Sequence, residues 1–170
     1  MTIMANCLPV PFRRASDRLI TIKYKQMKNI PALLADNFAQ GYNIKLLNEN
    51  TYVWDYPLLY NDGSNRLQFV YLGEVTLLEK EYLYIRSFIA DFSDKLNAMQ
   101  LLREADFGNL SCICLKPYTK SDGTQAEGVY AQCIFPVELA LQNKQAFIDV
   151  VHEVANRADA IEKKYLGVDN

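Results

Sequence analysis

Cys112, Cys114, Cys133 and His152 carry side chains with zinc-binding chemistry. Two residues apart on a strand, Cys112 and Cys114 point to one face. With Cys133 and His152 they would make up a four-ligand set for zinc. Against that, Cys-x-Cys within one strand is not a zinc spacing, and the sole histidine falls on a different element. Cysteine is also among the most buried residue types when it does no chemistry. Packing without a metal is therefore the preferred reading, and Cys7 adds no paired spacing. His152 as a general base has no Ser or Cys partner in a recognisable motif, so it reads as a partly exposed helix residue. The acidic pairs Asp91/Asp94 and Glu79/Glu81 have the chemistry for proton transfer or Mg²⁺. Both lie at turns or a helix start, where acids favour the helix dipole or face water. Gly63, Gly73, Gly108, Gly123 and Gly128 are isolated, with no glycine-rich phosphate loop. No catalytic constellation emerges, and an enzyme is the least favoured class.

Aromatic residues offer a different chemistry. Eleven Tyr and eight Phe are many for 170 residues, and some of these rings are expected at a surface that meets a partner. Tyr52, Trp54 and Tyr56 share one face of a predicted strand. Tyr82, Tyr84, Arg86 and Phe88 share one face of another. With Arg66, these could form a stacking platform for nucleic acid or a pocket for a small ligand. A net charge of −2 weighs against nucleic acid, which needs a basic groove. Exposed Tyr, Trp and Arg also mark protein interfaces, so the seven strand residues are the expected partner-binding set. The plainer alternative is that one of the two faces is core.

The elements that position these residues follow from patterning. With 50% hydrophobic and 22% charged residues, the chain reads as one globular domain with a core that needs neither metals nor disulfides. No apolar run is long enough to span a bilayer. Residues 1–28 are set apart: Arg13, Arg14, Arg18, Lys23, Lys25 and Lys28 face only Asp17. They read as a flexible basic extension dispensable for folding, or as sequence upstream of a start at Met27, with an organelle-targeting peptide as the sharper alternative. Lacking a secretory signal, the protein is expected in the cytoplasm with reduced thiols.

Residues 29–170 form the expected domain. Asn29 caps a short helix with Pro31 in its first turn, Leu33, Leu34 and Phe38 inward, and Gly41 at its end. Strands are predicted at 51–59, 67–78 and 82–92. Pro57 marks a strand edge or end, Asn61 to Ser64 a turn, and Gly73 a bend or bulge. A second helix is capped by Ser93 or Asp94, buries Ala98, Leu101, Leu102 and Ala105, and stops at Phe107-Gly108-Asn109. Strands at 110–118 and 128–135 flank a polar loop, Lys120 to Thr124. The last helix carries Phe147, Val151, Val154, Ala158, Ile161 and Tyr165 on one face. Asp149, Glu153, Asn156, Arg157, Glu162 and Lys163 fall largely on the other. Asn143 is its expected N-cap and Gly167 its C′ residue. The order α-βββ-α-ββ-α predicts an α+β fold, an antiparallel sheet packed against helices.

That order resembles the YbjN family and the class I type III secretion chaperones, which share one fold. The resemblance is carried by residues 93–166. Leu96-Asn97-Ala98 through Leu102 is similar to the family's second helix, and 110–115 with 129–135 to its closing hairpin. Phe135-Pro136-Val137-Glu138 resembles its strand exit, and 147–165 its terminal helix, including Ala158-Asp159-Ala160-Ile161-Glu162. The resemblance implies a homodimer or small oligomer that binds segments of other proteins without ATP, cofactor or catalytic residues. The Tyr- and Trp-rich strand at 51–59 and the basic N-terminus have no counterpart in that family.

Overall fold

The structure, a computed structural model, describes residues 27–35, 42–104 and 110–167, together with the backbone of Lys23–Tyr24. In chain order the elements are β1 (Lys23–Tyr24), α1 (Asn29–Leu34), β2 (Asn43–Asn48), β3 (Thr51–Leu59), β4 (Asn65–Leu77), β5 (Lys80–Asp91), α2 (Ala98–Arg103), β6 (Cys112–Thr119), β7 (Gln125–Pro136), α3 (Val137–Gln142) and α4 (Lys144–Ile161). A π-helical turn, Glu162–Leu166, ends the last helix. Every strand pairing is antiparallel. The order across the sheet is β2-β3-β4-β5-β7-β6, with β1 paired to β4. The protein is therefore α+β, a sheet packed against helices.

α4 organises the core. The Asn143 side chain accepts from the Ala146 N–H at 3.2 Å, and Gly167 closes the helix with a left-handed φ of 62°. Between these caps Phe147, Val151, Val154, Ala158 and Ile161 are buried as the periodicity demands, and Val150 and Ala155 widen the stripe. The stripe rests on inward residues of the central strands: Val70, Leu72, Leu83, Ile85, Val129 and Ala131. Ile30 and Leu33 of α1 and Leu101 of α2 join the same cluster.

β2 carries no period-2 signal to predict it from, because its residues are exposed on both faces except for Ile44. It forms as the hairpin partner of β3 and pairs with it only as far as Asp55. Pro57 thus lies where β3 is flanked by β4 alone, and its missing N–H leaves no gap in the β2 ladder. Gly73 makes no bulge, since the β4–β5 register runs unbroken from Val70 to Leu77. The irregularity lies in β5, where Phe88 opposes Tyr130 but Ala90 opposes Val129, with Ile89 as the extra residue. One extra residue reverses the alternation. Ala90 accordingly packs on the core, and Asp91 turns to the opposite face.

Helix starts also differ from expectation. Asn29 does not cap α1; its own N–H and that of Ile30 both donate to Oε1 of Glu74 at 2.7 Å, so a buried carboxylate from β4 serves as the cap. α2 is capped by Asn97 in a capping box with Gln100, not by Ser93 or Asp94. Leu101 is buried there, whereas Leu102 is exposed. Of the basic extension, Lys23–Tyr24 pairs with Thr76 and Val75, and Met27 packs on the core. Residues 1–22, Phe38, Gly41, Ala105 and Phe107-Gly108-Asn109 lie outside the described residues.

Candidate functional site

The two aromatic strand faces do not form one surface. Tyr52, Trp54 and Tyr56 point toward the helices. Trp54 and Tyr56 are buried, and Tyr52 packs on the core from its margin. Trp54 lies 6.3 Å from the Phe147 ring of α4. Strand alternation placed these three together correctly, but the rings of Trp54 and Tyr56 are buried and meet no partner, so these two leave the expected binding set. Trp54 Nε1 is buried without a hydrogen-bond partner among the described residues.

Arg66 also faces the helices, away from the platform expected of it. Its Nη1 donates to Asp159 Oδ1 at 2.7 Å and its Nη2 to Glu162. Tyr60 donates to the other Asp159 oxygen at 2.7 Å. Gln68 bridges Glu162 at 3.1 Å and Ser87 at 2.9 Å. Helical periodicity predicts Glu162 on the polar side; instead it is buried. Burial pushes its carboxyl above the ordinary range, although Gln68 and Arg66 pull the other way. This network fastens the end of α4 to β4 and β5.

Tyr82, Tyr84, Arg86 and Phe88 project to the opposite face, which no helix covers among the described residues. Tyr84, Arg86 and Phe88 meet residues that the sequence reading did not single out: Tyr71 of β4, Lys116 and Tyr118 of β6, and Tyr130 of β7. Tyr71, Arg86, Phe88, Tyr118 and Tyr130 line a hollow of about 290 Å³. The guanidinium carbon of Arg86 lies 5.5 Å from the Tyr84 and Tyr130 ring centroids and 5.9 Å from Tyr71. Phe88 contacts Tyr130 and Tyr118 edge-on, with centroids 5.3 and 5.7 Å apart. Gly128 makes room for this group: a Cβ there would lie 2.8 Å from Tyr130 and 3.0 Å from Phe88 ring atoms. Cross-strand register brings these rings together, so single-strand alternation could not reveal them; pairing the strands around the Lys120–Thr124 loop would have pointed to Tyr118 and Tyr130.

The charges on this face are unevenly matched. Asp55 is held by Asn43 and by Lys45 at 3.4 Å. Asp91, expected to be solvated, is held by Tyr118 and by Lys120. The Lys120 bond, then that of Tyr118, holds the Asp91 carboxyl below its usual range. Arg86 has no ion pair among the described residues, only rings. Lys116 Nζ likewise lies over the Tyr84 ring, 4.8 Å from its centroid.

The metal-type side chains do not converge. Cys112 and Cys114 stand opposite Gln132 and Tyr130 on the uncovered face, while Cys133 lies opposite Ile85 on the helix side. Burial pushes the Cys114 and Cys133 thiols up to about 11, so both are protonated near neutrality. His152 is exposed on α4. Its Nε2 lies 2.6 Å from the Asn156 side-chain amide nitrogen and its Nδ1 3.1 Å from the Tyr56 hydroxyl. Among the described residues no group of three His, Cys, Asp or Glu side chains is placed to hold a metal ion, and no helix is long and apolar enough to cross a membrane. No family model, no curated protein and no solved structure matches this chain.

Proposed function

We propose that this chain is a non-catalytic protein-binding module, chaperone- or adaptor-like, that holds a segment of a partner protein on the uncovered face of its sheet. The observation that carries the reading is the hollow around Arg86, rimmed by Phe88, Tyr71 and Tyr118. Phe69 and Leu67 lie exposed on the same face of β4. Aromatic side chains and arginine around a depression are the residue types that dominate protein interfaces. At about 290 Å³ the hollow is at the lower limit of small-molecule pockets, roughly 300 Å³, and suits one side chain of a bound segment. The chaperone part of the reading rests on the sequence resemblance to the YbjN and type III secretion chaperone fold; to the order expected from it this chain adds β1 and β2 and divides the last helix. That resemblance also motivates a homodimer and a cytoplasmic setting.

The test compares the wild-type chain with a Tyr71→Ala/Phe88→Ala variant of unchanged melting temperature. A partner identified by mass spectrometry should bind the wild type and lose most of its affinity for the variant. Equal binding would remove the face from the reading. Sedimentation over a range of concentrations tests the dimer, and a monomer throughout would exclude it.

A second reading, a single-stranded nucleic acid or small ligand on the same rings, draws on Arg86 and Lys116 as cations without carboxylate partners. Absorbance at 260 nm in the purified protein separates it from the first.

A further inference from the structure

We infer that the Arg86 hollow binds the carboxylate of an acidic side chain, Glu or Asp, on the partner segment; this rests on the uncovered face being the binding surface. Tyr71, Tyr84 and Tyr130 flank the guanidinium at 5.5 to 5.9 Å. None of them supplies the negative charge that a planar five-donor cation matches best. The amide oxygen nearest in register, Gln132 Oε1, already accepts from Tyr84 at 2.7 Å. The two acids of the face, Asp55 and Asp91, are engaged by their own cations. Arg86 therefore offers its N–H donors to whatever enters the hollow, and Lys116 beside Tyr84 adds a second positive charge. A carboxylate meeting a guanidinium forms charge-assisted, bidentate bonds, and the aromatic rings flank them.

The same features discriminate among occupants. A basic segment would be repelled. A second copy presenting this face brings no free carboxylate to Arg86, because Asp55 and Asp91 are engaged by their own cations, so self-association through it is disfavoured. A nucleic-acid strand needs flat ring faces and a continuous basic track. Here the Phe88, Tyr118 and Tyr130 rings meet edge to face, with interplanar angles of 67° and 70°.

The test is an NMR titration of the isotope-labelled full chain. The probe is the heptapeptide acetyl-Ala-Gly-Leu-Glu-Leu-Gly-Ala-amide, its control the same peptide with Gln for Glu. Saturable shifts at Tyr71, Phe88, Tyr118 and Tyr130 are expected with the Glu peptide, and about tenfold weaker binding with Gln, as suits a charge-assisted pair. Arg86→Gln should abolish the difference between the two peptides, and Arg86→Lys should keep part of it. Equal binding of both peptides, no binding of either, or discrimination that survives in Arg86→Gln would overturn the inference. Inorganic phosphate that competes as well as the Glu peptide would make the hollow a general anion site and overturn the carboxylate assignment. Tighter binding of a ten-residue oligothymidylate would transfer the face to nucleic acid. The identified partner separates the two levels of the reading. Binding lost in Tyr71→Ala/Phe88→Ala but kept in Arg86→Gln would leave the face as the docking surface and remove the carboxylate alone. Binding kept in both would remove the face.

Discussion

Arg66 and Arg86 stand on adjacent strands of one sheet and face opposite sides of it. On the helix side Arg66 is nearly enclosed, and two carboxylates, Asp159 and Glu162, meet it there. On the other side Arg86 sits among three tyrosine rings and meets no carboxylate among the described residues. A guanidinium removed from water must be paired or it destabilises the fold by several kcal/mol. Arg66 satisfies that rule within the chain. Arg86 is only partly buried and escapes it through water and cation–π contacts worth about 0.5–1 kcal/mol. One face is thus closed chemically as well as sterically, and the other is left with valences that a partner can fill.

The covered face is most sharply tested by Val154→Asp, which buries an unpaired charge at the centre of the α4 stripe. It should cost about 4 kcal/mol or more and leave the chain unfolded or nearly so in a urea melt. Full stability in that variant would mean the stripe is not core.

The two arginines give the direct contrast. Arg66→Ala removes the guanidinium that Asp159 and Glu162 share and should cost about 3–5 kcal/mol. Arg86→Ala should cost at most about 1 kcal/mol, by chemical denaturation under the same conditions. Comparable losses would erase the distinction between the faces.

Gly128→Val places atoms where the Tyr130 and Phe88 rings lie. It should cost about 1–3 kcal/mol, as overpacking does, and shift the ring resonances of the open face while leaving those of α4 in place. Unmoved rings would refute the account of Gly128.

The β4–β5 turn lies at the end of both faces. Leu78 and Glu79 hold left-handed φ values of 48° and 64°, in a two-residue hairpin that favours Asn-Gly. Replacing them with Asn and Gly should raise stability by about 1–2 kcal/mol, seen as a higher midpoint at constant slope. A lower midpoint would show that the exposed Leu78 side chain makes a contact the fold needs.

The smallest effect is a pH slope. The folded Glu162 carboxyl is raised, mainly by burial, so the folded state binds more protons than the unfolded one between the ordinary glutamate pKa and the raised value. Across that window this group makes stability fall as pH rises. Glu162→Gln should flatten that part of the profile, and an unchanged profile would place the titration elsewhere.

The Val154 stripe, the Asn143 cap and the Gly167 terminus were legible because each is a local pattern. A helix or strand of known period puts its own residues on a face, whatever it later packs against. The same reasoning grouped Tyr52 with Trp54 and Tyr56, and Tyr84 with Arg86 and Phe88. It could not say which group the helices cover, since an aromatic stripe is as good a core as a binding surface. Glu74 as the cap of α1 and the burial of Glu162 were equally out of reach, because their partners lie 45 residues away at Asn29 and 96 at Arg66.

By itself, then, the sequence determined the α+β class, the periods of its elements and the helix that would cover the sheet, since these depend on interactions within a few residues of the chain. Tertiary structure decided the rest. It set the sheet order that brings Tyr71, Tyr118 and Tyr130 beside Arg86, the β5 bulge that turns Asp91 toward Lys120, and the pairing of Arg66 with α4. Register between strands and the side on which helices pack follow from hydrogen bonds and burial between segments far apart in the chain, and those depend on the whole assembly.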